Sequence, residues 1–175
     1  MNEFKIMLES AGFILFDPFN LDQFCIDNNI VENNIMKTFI ENETIGDMAI
    51  KKGKILPIYT IKEDDYKIIV SNDIKIKENQ KFVYKNFPLE IINRKLVVAD
   101  IFAIQNWEPD FYKNLKNNFP TQFIIDICNG NYSVDIIGFY KDNNNYGYNF
   151  VLNEVGKLPE IDISKDVDAY NFNIL

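Results

Sequence analysis

The stretch from Phe4 to Asp17 lies without a gap on the stretch from Phe87 to Asp100, 83 positions further along. This self-similarity constrains the fold more than any other feature of the chain. In each stretch an alternating strand runs into a turn, Ser10-Ala11-Gly12 or Asn93-Arg94-Lys95, and then into a continuous apolar run that stops at an Asp. A hairpin with a deeply buried second strand has this pattern. The register continues beyond the Asp, placing Phe19 on Phe102, Leu21 on Ile104 and Phe24 on Trp107.

Each copy then offers a helix. In the first, Asn29 with Glu32 three residues on forms a capping-box pattern, and Ile30, Val31, Ile35, Thr38 and Phe39 recur at helical spacing. In the second, Asp110 caps a shorter piece carrying Phe111, Tyr112 and Leu115, ended by Phe119-Pro120. A second hairpin follows. Its strand-like runs are 47–51, 54–61 and 66–71 in the first copy and 122–128, 132–140 and 148–153 in the second, with Gly53 and Gly130 at the turns.

The order hairpin, helix, hairpin thus occurs twice, which predicts one domain over 1–175 with similar halves at 3–71 and 86–153. Residues 72–85 form the connector and 154–175 a tail. Duplicated halves would pack about a pseudo-twofold axis, because neither alone covers its apolar sheet face. Two strand-rich stretches sharing a pattern without common origin is the alternative. Lys75 and Lys77 alternating with Ile74 and Ile76 suit a short protected edge strand, and Pro57 puts its own strand at an edge or bulge. Leu158, Ile161 and Ile163 predict a last strand before a loosely held end. The expected class is α+β, mostly antiparallel β, as a sandwich or partly open barrel with short helices outside.

Composition narrows the chemistry. With no His among 175 residues, Ser-His-Asp and Cys-His catalysis and most catalytic zinc sites are excluded. There is no Walker loop, GxGxxG, HExxH or GxSxG, and no cofactor or metal is expected. The net charge of −8, with Arg94 the sole arginine, argues against nucleic acid as a partner and suits a basic protein. The N-terminal residues have no secretory pattern and no run spans a membrane, so cytoplasmic residence is expected. Cys25 and Cys128, far apart and without basic neighbours, read as buried inert thiols.

Asp17 and Asp100 end the apolar strand of each half. Facing each other across a cleft, they would be an acid/base pair for a carbohydrate or similar small polar substrate. An Asp after a buried strand more often turns the chain through its own hydrogen bonds. Trp107 and Tyr112 could form a stacking platform or belong to the core, with Phe24 at the equivalent position favouring the core. Tyr146 and Tyr148 are anchor candidates for a partner, or cross-strand packing residues. The run Asp142 to Gly147 superficially matches a calcium loop, but Tyr146 and Asn153 stand where ligands are needed, so a hairpin turn is expected.

Gly12-Phe-Ile-Leu-Phe-Asp17-Pro18, the later Lys52-Gly53-Lys-Ile-Leu-Pro-Ile58 and its echo Asn129-Gly-Asn-Tyr-Ser-Val134 resemble small β-rich bacterial proteins of unknown function. Some of these are immunity proteins, which bind and block a toxin. The resemblance implies an immunity-type role; with the net charge of −8 and the absence of catalytic motifs, the expected function is a non-catalytic bacterial protein neutralising a basic toxin by protein–protein contact. The carboxylate enzyme or ligand binder, and a structural subunit or homodimer, remain as alternatives.

Overall fold

Residues 1–108, 110, 113, 121–161 and 170–175 are described by the computed structural model. Strands β1 (Asn2–Met7) and β2 (Gly12–Phe16) lead to helices α1 (Pro18–Asp27), α2 (Ile35–Glu41) and α3 (Glu43–Lys51), then to β3 (Leu56–Tyr59) and β4 (Asp65–Ser71). The second half runs through β5 (Gln80–Ile91), β6 (Lys95–Asp100), α4 (Phe102–Gln105), β7 (Gln122–Asp126), β8 (Gly130–Asp142) and β9 (Asn145–Val155). The strands form a five-stranded sheet, β1-β4-β9-β8-β5, and a four-stranded sheet, β3-β2-β6-β7. All described pairs are antiparallel except β4 with β9.

Three layers follow from the residues of β2 and β6. Phe13, Leu15, Leu96 and Val98 face the five-stranded sheet, where they meet Tyr66, Ile68, Tyr148 and Phe150. Ile14, Phe16, Val97 and Ala99 face the other way, onto Leu21, Phe24, Ile35, Ala49 and Trp107 of the helical layer. The uninterrupted apolar runs are therefore strands buried on both faces. The expected α+β sandwich is the fold, and the rings of Phe4 and Phe123, stacked 4.1 Å apart, draw β1 toward the edge strand β7.

The β2–β6 ladder pairs Ile14 with Ala99, Leu15 with Val98 and Phe16 with Val97. It extends one step further, to Phe13 opposite Asp100, and contains Leu15 opposite Val98, a pair that the 83-residue offset maps onto itself. On either side β3 flanks β2 as β7 flanks β6, and β1 pairs with β4 as β5 pairs with β8. The expected match of 66–71 with 148–153 is corrected by this topology: β4 takes the place of β8, and β9 enters between them.

Four other expectations are corrected. The first helix starts at Pro18, with Asp17 as its cap and Pro in the first turn, where no amide partner is lost; Asn29 instead sits in a turn with φ 54°. The strand-like run 47–51 is the end of α3, capped by the Asn42 side chain and carrying Glu43 in its first turn and Lys51 in its last. The connector forms no strand before Gln80; the Lys75 amide donates to Asn149 Oδ1 of β9 at 2.9 Å, tying it to the middle of the sheet. The chain end is firmly held, with Phe172 only 2% exposed in the intersheet core beside Phe82, Tyr84 and Phe87. No strand forms at Leu158 or Ile161, while Ile163 lies outside the described residues, as do Phe111, Tyr112, Leu115, Phe119 and Pro120. Pro57 does lie in an edge strand, β3, and Asn143 and Asn144 form the expected hairpin turn between β8 and β9.

Candidate functional site

Asp17 and Asp100 terminate the two central, antiparallel strands of the four-stranded sheet, so they stand toward opposite ends of one ladder. Four residues of ladder at about 3.3 Å each put them roughly 13 Å apart, well beyond the roughly 5 to 9.5 Å that paired glycosidase carboxylates need. The structure does not bring them into one cleft. It gives each carboxylate a set of backbone amides.

Asp17, fully buried, accepts from the Phe19 and Asn20 amides through Oδ1 (2.9 and 3.3 Å) and from the Ile92 and Asn93 amides through Oδ2 (both 2.7 Å). Asp100 accepts from the Phe102 amide through Oδ1 (2.9 Å) and from the Glu9 and Ser10 amides through Oδ2 (2.8 and 3.1 Å). The Ser10 hydroxyl adds a 2.5 Å bond to Oδ1. Shifted by 83, three of the four amides on Asp17 become the three on Asp100, while the Asn20 amide has no counterpart in the second set. Each Asp fastens the start of the segment after its own strand and the hairpin turn of the opposite half, so these oxygens are occupied in holding the frame rather than aimed at solvent.

The aromatic candidates separate. Trp107 is 4% exposed; its ring meets Phe16 edge to face at 5.9 Å and its Nε1 donates to the buried Asp22 carboxylate at 3.2 Å. It is a core residue. Tyr148 is fully buried and donates to the Phe172 carbonyl at 2.9 Å. Tyr146 lies at the sandwich end, where it donates to Asp64 Oδ1 at 2.8 Å and meets the rings of Tyr66 and Tyr140. Burial and the Asp64 hydrogen bond push its phenol up to about 12. Asp64 is held below the usual carboxylate range by the Asp65 amide and by Tyr146. Of the four aromatic candidates, Tyr146 is thus partly accessible, while Tyr112 lies outside the described residues.

A polar cluster that the sequence did not announce ties α1 to β5. Asn20 Nδ2 donates to the Glu90 carbonyl and carboxylate, both at 3.0 Å, and Lys54 Nζ donates to Asn20 Oδ1 (2.8 Å) and to Glu90 Oε2. Burial would raise the Glu90 carboxyl, but the hydrogen bonds from Lys54 and Asn20 outweigh it and hold it low.

The cysteines are unlike each other, which corrects the expectation of two buried thiols. Cys25 is buried in the helical layer, and burial, with Asp22 nearby, pushes its thiol up to about 12. Cys128 follows β7 and is exposed. A disulfide reagent such as DTNB is therefore expected to titrate one thiol in the folded protein and the second only in denaturant. Rapid modification of both in the native state would contradict this placement of Cys25.

No protein-family model matches the chain, and no curated protein matches it. Among solved structures, the crystal structure of ComJ, inhibitor of the DNA degrading activity of NucA, from Bacillus subtilis, is similar in fold. The TM-score is 0.51 at 11% sequence identity, over 89% of this chain and 96% of the ComJ chain.

Proposed function

We propose that this chain, folded like the inhibitor of a DNA-degrading enzyme, is itself an immunity-type inhibitor, a non-catalytic protein that acts in the cytoplasm and neutralises a basic partner by protein–protein contact. The observation that carries this is the likeness of fold over 89% of the chain in a molecule with a net charge of −8. An enzyme that degrades nucleic acid presents cations to phosphates. An acidic protein competes for that surface, and charge complementarity speeds encounter with it. The engagement of Asp17 and Asp100 by backbone amides further favours a binding protein over a carboxylate enzyme.

The immobilised protein, exposed to lysate of its source at about 0.1 M salt, is expected to retain a basic protein and release it toward about 1 M, as the screening length falls from roughly 10 to 3 Å. The purified partner is then expected to lose its activity when an equimolar amount of the chain is added. Retention insensitive to salt would count against a charge-driven complex. A partner with undiminished activity would overturn the inhibitor.

A further inference from the structure

The 83-residue offset lays Ala99 on Phe16 and Ala103 on Asn20. In the first half these places are filled, by the buried Phe16 ring and by the Asn20 side chain in its bonds to Glu90 and Lys54. In the second half the two alanines leave a notch of about 240 Å³, open to solvent and lined also by Glu9, Phe102, Asn106 and Thr121.

Asp100 builds the rim of this notch. Its two oxygens hold the amides of Glu9 and Phe102, so one buried carboxylate fixes the backbone on which an exposed acid and a 42% exposed ring are mounted. No hydrogen bond or ion pair among the described residues engages the Glu9 carboxylate. No described lining residue is a cation.

We propose that the notch receives an arginine side chain presented by the bound protein; that the arginine comes from a partner rests on the inhibitor function above. Its methylenes would lie over Ala99 and Ala103, and its guanidinium would pair with Glu9 and stack on the Phe102 ring. A planar, delocalised cation fits an acid set beside a ring better than a compact ammonium does. The equivalent place in the first half offers Ile92, 39% exposed, where Glu9 stands, and is plugged by Phe16 and Asn20.

The probe is N-acetyl-arginine amide, titrated into the intact chain while backbone amide resonances are followed, with N-acetyl-citrulline amide as the uncharged isostere. Saturable shifts are expected at Glu9, Phe102, Ala103 and Thr121 with the arginine compound only. Glu9→Gln is expected to weaken binding about twofold to fivefold. Ala103→Leu, which fills the notch, should abolish it while leaving the rest of the spectrum in place. Absence of saturable shifts at those amides, or equal shifts with the citrulline compound, overturns the site. Binding of the arginine compound by a chain that inhibits no partner would remove the inhibitor function and keep the notch. A partner held as tightly by both variants as by the parent chain would do the reverse.

Discussion

Asp17→Ala is expected to lower the free energy of unfolding by roughly 4 kcal/mol. The side chain accepts four backbone amides, two opening α1 and two in the turn between β5 and β6. Each buried donor left without a partner costs about 1 to 3 kcal/mol, and water at the half-exposed turn recovers only part of that. Asp17→Asn keeps one acceptor oxygen but turns an NH₂ group toward amides that also donate, so it should fall between Ala and the parent chain. Since whole domains have only about 5 to 15 kcal/mol to lose, Asp17→Ala combined with Asp100→Ala is not expected to fold. Urea denaturation monitored through Trp107 measures this as a lower midpoint at unchanged slope. A loss below about 1 kcal/mol would mean that the turn amides reach water in the native protein.

Gly147→Ala is expected to be as damaging, for a steric reason. Gly147 has φ 154° and pairs with Lys67 in the parallel β4–β9 ladder. A Cβ atom there would stand 1.8 Å from the Lys67 carbonyl oxygen and 2.7 Å from its carbon. These are backbone atoms, and β4 cannot retreat because β1 is paired along its other edge. The ladder has to open, at a cost of at least about 3 kcal/mol. Gly156→Ala is the control: nothing lies within 4 Å of the added atom, and its stability should stay within about 0.5 kcal/mol of the parent. If the two alanines behave alike in denaturation, β4 and β9 do not pair as described.

The sequence placed Asp17 and Asp100 correctly at the ends of the two most buried strands, because an apolar run that stops at a carboxylate is a local signal. Their role is not local. The amides that each holds across the halves lie 75 to 91 residues away, and composition carries no trace of them. Through Phe24 the 83-residue register pointed to Trp107 as core, but an offset between two stretches does not say which of their strands pair, so the β2–β6 ladder was not legible in it. The end of α3 was missed because five residues of mixed polarity fit either period, although Asn42 offered a cap. Parallel pairing of β4 with β9 leaves the same alternation of side chains as antiparallel pairing, so its direction has no local sign, and Gly147 marks only the close approach of the Lys67 backbone. The buried chain end did have a signature, Tyr170, Phe172 and Ile174 at a spacing of two, outweighed by the expectation that termini are loose. The notch is legible only as a difference between the halves, in two alanines where a Phe and an Asn stand.

The exchange of hydrogen bonds between the halves also sets the order in which a nascent chain can become native. Glu9 and Ser10 emerge from the ribosome long before Asp100, and β4 gains its second neighbour only when Lys67 meets Gly147. The first half therefore cannot finish its own turn while it is the only part synthesised, and Phe13 waits for the rings of Tyr148 and Phe150 against which it packs. Such distant pairings slow folding to times on the order of milliseconds to seconds. For the same reason a cut in the connector would yield two fragments that each lack what the other carries.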